Sequence, residues 1–82
     1  MASQQSIELA NRARSIYEQK LKTRLESTNP DEFVAIEPVS GNFFFGKNLS
    51  EAIQAARAVH ATRLSFVFRI GHKSTVEIGV LG

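Results

Sequence analysis

Three phenylalanines stand in a row at positions 43–45, between two glycines, and a helix start follows at once. A β-strand points successive side chains to opposite faces, so Phe43 and Phe45 share one face and Phe44 takes the other. The preceding segment, 32–38, reads EFVAIEP and is also apolar on both faces. Together the two segments predict a β-hairpin. This hairpin needs cover on both sides, which one helix lying on a sheet does not supply.

The turn of this hairpin and the helix after it are predicted from local signals. Gly41, in VSGN, is free to adopt the positive φ of a tight turn. Asn48 and Glu51 have the spacing of a capping box, with Asn in place of Ser or Thr. Behind this cap, apolar residues recur with the period of one helix face. The sequence therefore predicts a helix over 48–61 that covers one face of the sheet.

A second hairpin is predicted near the end of the chain. Segment 63–71 alternates, and its inner face consists of Leu64, Phe66, Phe68 and Ile70. Its outer face consists of Ser65, Val67 and Arg69. Segment 75–80 also alternates, with Val76, Ile78 and Val80 on the inner face. This hairpin is therefore predicted to be apolar on one face alone.

Residues 4–27 contain no glycine or proline and favour a long helix by propensity. Its apolar residues form two partial stripes. The first stripe is Ile7, Ala10, Tyr17, Leu21 and Leu25, interrupted by Arg14; the second is Leu9, Ala13 and Ile16. Two interpretations stay open. Either the helix lies on the sheet and the flanks of its buried face are partly exposed to solvent, or one of the two stripes contacts a second chain.

The order α-β-β-α-β-β predicts an α+β fold, with a four-stranded, mainly antiparallel sheet that carries helix on one face. We expect a long N-terminal helix and linker over 1–31 and a ββαββ domain over 32–82, as a single compact unit.

The chain has 82 residues and no cysteine, and it has no apolar run near the roughly 18 residues of a membrane span. No apolar core of a secretory signal stands at the N-terminus. The sequence therefore predicts a cytoplasmic protein without a membrane partner.

The sequence predicts no enzyme activity. No HExxH motif, phosphate-binding loop or spaced cluster of metal ligands occurs. His60 falls at a helix end and His72 in a hairpin turn, where structural or surface roles are expected. We therefore expect no catalytic residue, no metal ligand and no cofactor.

The excess of apolar surface predicts a small interaction module that acts as a homodimer or binds a cognate protein. The candidate interface residues on the long helix are Leu9, Ala13 and Ile16. On the first hairpin they are Phe33 and Phe44, or the apolar residues on the opposite face of the same hairpin. In a dimer, the long helices could cross or the sheets could join at an open edge.

An alternative prediction is nucleic-acid binding by the polar face of the second hairpin. Its candidate residues are Arg63, Arg69, His72 and Lys73, with Phe44 stacking a base beside them. The formal net charge of +2 permits an anionic partner but does not indicate one.

The pattern FVAI, SG, FF-x-G, L-x-EAI-x-x-AR and RIG over residues 32–79 resembles a group of short bacterial proteins, frequent in cyanobacteria, that are classed as domains of unknown function. Its fixed points are Gly41, Gly46, Asn48, Glu51 and 69–71, all with structural roles. The resemblance implies no catalytic residue. It implies that this protein binds a cognate partner, either as an antitoxin-like protein or in association with a retropepsin-like aspartyl protease.

Overall fold

The computed structural model describes the backbone of residues 4–71 and 78–81 and the side chains of residues 7–71. The elements are α1 (Gln4–Ile16), a π-helical segment (Tyr17–Leu21), α2 (Lys22–Thr28), β1 (Phe33–Ile36), β2 (Phe43–Gly46), α3 (Leu49–Val59), β3 (Leu64–Arg69) and β4 (Ile78–Leu81). The first three are continuous and are called the N-terminal helix below. The predicted long N-terminal helix is confirmed.

Neighbouring strands are antiparallel and lie in the order β2-β1-β3-β4. The register places Ala35 of β1 between Phe44 of β2 and Val67 of β3. Val34 lies in the same way between Phe45 and Phe68. Because side chains alternate along a strand, these two rows belong to opposite faces of the sheet.

The predicted fold, a four-stranded sheet that carries helix on one face, needs correction in how the helices cover the sheet. Among the described residues, the sheet that the helices enclose has three strands, β2-β1-β3, and helices lie on both of its faces. β4 extends this sheet by pairing with β3, where Leu81 lies opposite Leu64. The α+β class holds. The predicted start of the last strand, at 75–77, lies outside the described residues.

The N-terminal helix covers one face and forms the first core cluster with it. Ala13, Tyr17, Leu21 and Leu25 are its buried helix residues. The buried sheet-side residues are Val34, Ile36, Phe66, Phe68 and Ile70. The Tyr17 ring stacks on Phe68 with 5.1 Å between centroids and 1° between planes. Burial raises the pKa of the Tyr17 hydroxyl, which also hydrogen-bonds the backbone of Gly71.

The π-helical segment explains how one helix keeps four buried residues at steps of four. In an α-helix, residues four apart drift by about 40° per step, so the stripe would leave the sheet. The backbone N–H of Lys22 bonds to the carbonyl of Tyr17, five residues back. This wider turn holds an additional residue and rotates the stripe back towards the sheet. The buried stripe from Ala13 to Leu25 therefore stays in contact with the sheet along its whole length.

The opposite face is covered by α3 and forms the second core cluster: Ala35, Ala52, Ala56 and Val67. The prediction that Ser65 and Val67 face solvent is wrong, because both are buried. Three of the four members are alanines, so α3 can approach the sheet closely. The strand β3 is therefore covered by helix on both of its faces.

The predicted cap of α3 is confirmed. The Oδ1 atom of Asn48 accepts a hydrogen bond from the N–H of Glu51 at 2.9 Å. The Oε1 atom of Glu51 accepts one from the N–H of Lys47, also at 2.9 Å. Two backbone donors at the helix start are therefore satisfied.

We expect Asn48→Ala to lower the free energy of unfolding by about 1 kcal/mol, because it removes the cap of the Glu51 N–H. Urea unfolding followed by circular dichroism would measure the loss. Asn48→Asp keeps an oxygen acceptor at the same place and is the matched control. An equal loss in both variants would contradict a capping role.

Candidate functional site

The strand β2 lies at one end of the sheet, and among the described strands it pairs with β1 alone. The N–H of Glu37 donates to the carbonyl of Asn42 at 2.9 Å, which fixes the hydrogen-bonding alternation of the hairpin. Antiparallel pairs alternate between bonded and non-bonded residues. Phe44 therefore bonds to β1, whereas the backbone N–H and C=O groups of Phe43 and Phe45 point to the open edge.

Phe43 and Phe45 also expose their rings. They remain 39% and 38% accessible, and the two rings meet edge to face with centroids 5.5 Å apart. Unpaired backbone groups and apolar rings thus occur at the same two residues. We call Phe43–Gly46, with these outward groups, the β2 edge.

The N-terminal helix leaves the β2 edge uncovered because it lies over the other strands. The strand residues of the first cluster come from β1 and β3, namely Val34, Ile36, Phe66 and Phe68. Phe43 and Phe45 share their sheet face but lie one strand further out. The two-sided apolar hairpin predicted from the sequence is therefore sheltered for the most part by the chain itself. On β2, the apolar surface that stays exposed is that of the Phe43 and Phe45 rings.

The structure places the predicted helix residues against the sheet. Ala13 is fully buried in the first cluster, and Leu9 and Ile16 are half-buried against it. Ala13 therefore offers no side-chain surface to a second chain. The apolar side chain on the described part of this helix with substantial exposure is Ile7, at 48%.

Phe33 and Phe44, the predicted hairpin residues, pack against the second cluster and are half-buried. The Phe44 ring meets the His60 ring at 5.9 Å. Nε2 of His60 in turn lies 3.0 Å from Nδ2 of Asn42. Phe44 therefore belongs to the packing between α3 and the hairpin, and the more exposed surface of the same hairpin is that of Phe43 and Phe45.

The candidate nucleic-acid residues do not form one described patch. Nη1 of Arg63 lies 3.1 Å from Oε1 of Glu37, and the Arg69 guanidinium lies 5.7 Å from the centre of the Phe33 ring. The two arginines flank opposite ends of β3, about 20 Å apart for a strand of that length. His72 and Lys73 lie outside the described residues. Nucleic-acid binding stays a prediction, tested by retention of labelled RNA and DNA at about 50 mM salt.

A buried carboxylate that no sequence motif indicated lies beside the hairpin turn. Glu37 accepts hydrogen bonds from the N–H of Val39 at 2.8 Å and of Ser40 at 3.0 Å, and from Arg63 at 3.1 Å. Burial would raise the pKa of Glu37, but the hydrogen bonds from Ser40, Val39 and Arg63 outweigh it and lower the pKa to about 2. An acid–base catalyst needs a pKa near the working pH. Glu37 is therefore a structural group that holds the turn.

The described residues contain no group of three or more His, Cys, Asp or Glu side chains arranged to hold a metal ion. In the same part of the chain, no helix combines the length and the apolar character that crossing a membrane requires. These findings leave the β2 edge as the surface feature with the clearest binding chemistry.

Comparison of the chain with protein-family models, with curated proteins and with solved structures found no match. The resemblance to short bacterial domains of unknown function therefore stays a prediction.

Proposed function

We propose that this protein is a small, non-enzymatic, cytoplasmic module that binds protein by pairing the β2 edge with an extended segment of a partner. The observation that carries the proposal is the coincidence at Phe43 and Phe45 of outward backbone groups with exposed rings. In strand addition, main-chain hydrogen bonds supply affinity and alternate side chains supply specificity. The β2 edge offers both.

The composition of the edge supports this proposal. Natural edge strands are protected by charged side chains, proline, bulges or short length. The β2 strand is short, at four residues, but its sequence FFFG contains no charge and no proline. Its neighbour Lys47 stands just beyond the strand, with its N–H bound to Glu51. The edge is therefore open to a pairing segment over the two outward-facing residues.

A photoreactive phenylalanine analogue at position 45 tests the proposal with little change of shape. We expect irradiation in the cells that express the protein to link this position to one defined peptide, because a paired strand lies within side-chain reach. The peptide would be identified by mass spectrometry. The same analogue at Ile7, which has similar exposure on the N-terminal helix, is the matched control. Linkage at position 45 no stronger or more defined than at position 7 would contradict the proposal.

A further inference from the structure

We propose that the segment paired with the β2 edge is β2 of a second copy, in an antiparallel arrangement centred on Phe44. The inference rests on the proposed function, since it names the partner of the same edge. Two observations support it: the spacing of the outward backbone groups at Phe43 and Phe45, and the kind of side chains that β2 would bring together in the dimer. The resulting dimer would have two-fold symmetry and one continuous sheet.

The backbone is self-complementary in this register. With Phe44 opposite Phe44 of the second copy, each Phe43 lies opposite a Phe45. Both residues have N–H and C=O groups that point to the edge, so the two pairs exchange four hydrogen bonds. Phe44 itself forms the closely spaced, non-bonded pair at the dyad.

Other registers use fewer of these groups. A shift by two residues brings either Gly41 or Lys47 opposite an outward-facing phenylalanine. The N–H of Gly41 already donates to the carbonyl of Glu37 at 2.9 Å, and the N–H of Lys47 donates to Glu51. The register centred on Phe44 is therefore the one that uses the outward groups of both Phe43 and Phe45.

The side chains are also compatible with two-fold pairing. Phe43 and Phe45 of each copy would meet their counterparts on one sheet face and form a cluster of four rings. Aromatic side chains directly opposite each other are favourable cross-strand pairs. In the same register Lys47 lies opposite Gly41, so between positions 41 and 47 no like charges face each other. A second copy thus meets no electrostatic obstacle at this edge.

Hydrogen exchange and isotope-filtered NMR on the unmodified chain test the register. As the concentration rises from micromolar to millimolar, we expect exchange of the Phe43 and Phe45 amides to slow about tenfold or more. The Phe44 amide, bonded to β1, serves as the internal control and stays protected throughout. In a mixture of labelled and unlabelled copies, an intermolecular contact between Phe44 Hα atoms is expected. Light scattering after size-exclusion chromatography would report a dimer.

Phe45→Lys tests the side-chain contribution, because in the dimer it replaces two of the four clustered rings with positive charges. We expect its dimer dissociation constant to rise about a hundredfold, whereas Ile7→Lys, the matched control on the helix, leaves it unchanged. A monomer at millimolar concentration with fast-exchanging Phe43 and Phe45 amides would overturn the inference. If position 45 then still crosslinks to another protein, the proposed function survives alone. A dimer without the Phe44 contact, or one broken by Ile7→Lys, also overturns it.

Discussion

Replacing Gly46 with alanine is expected to lower the free energy of unfolding by about 3 kcal/mol or more, the upper range for overpacking. A Cβ atom at this position would overlap the backbone nitrogen of Ala52 and lie 2.8 Å from both the carbonyl carbon and Cβ of Glu51. Two of these three atoms belong to the main chain at the start of α3, and the third is a Cβ atom. A side-chain rotation therefore cannot relieve the overlap. The helix would have to lift from β2, which weakens the second core cluster.

Gly41→Ala is the matched control for this prediction. Gly41 has a φ of +79°, and a Cβ placed there meets no atom within 4 Å. The control therefore reports the conformational cost alone, about 1 kcal/mol. Urea unfolding of both variants, followed by circular dichroism, would separate the two effects. A loss in Gly46→Ala no larger than that in Gly41→Ala would argue against close contact between β2 and α3.

Features that depend on near neighbours were predictable from the sequence. The turn at Gly41 and the cap between Asn48 and Glu51 each depend on a few consecutive residues, and the structure confirms both. The N-terminal helix was predictable because no breaker interrupts it. Its π-helical segment was not, since that wider turn serves the contact with the sheet rather than any local preference.

The face assignment of β3 failed for a physical reason. Ser65 and Arg69 flank Val67, and a polar–apolar–polar series on one face is typical of a solvated surface. The structure instead buries Ser65 and Val67 beneath α3 and leaves Arg69 exposed at the strand end. The alanines at positions 52 and 56 could have indicated that this face is buried, because small residues on an apolar helix face indicate close approach of the helix to a second surface.

The candidate site was predictable in part. The row of phenylalanines identified the right hairpin, and the two-sided apolar pattern indicated that more than one layer must cover it. Which rings stay exposed depends on strand order, because the β2 edge is open only if β1 pairs with β3 on its other side. That order follows from contacts between residues about 30 positions apart, such as Val34 with Phe68. No local pattern reports them.

The second large effect concerns Glu37, where the chain buries a charged group to close the hairpin. Its pKa is lowered from 4.5 to about 2 in the folded state. A carboxyl group with a lowered folded pKa stabilises the fold above its unfolded pKa, and this contribution is lost as the pH falls through the folded value. The stabilisation from Glu37 is therefore complete above about pH 5 and is lost between about pH 4.5 and pH 2.

Glu37→Gln is accordingly expected to lower the free energy of unfolding by about 2–3 kcal/mol at pH 7, since hydrogen bonds to a charged group contribute about that much. The deficit should shrink as the pH falls from 4.5 towards 2, because the protonated carboxyl of the natural chain loses the same interactions. Thermal unfolding between pH 2.5 and pH 7 would measure it. Glu8→Gln makes the same change at an exposed position and should shift stability by less than about 0.5 kcal/mol. A deficit at Glu37 that stays constant with pH would show that packing, and not the charge, holds the turn.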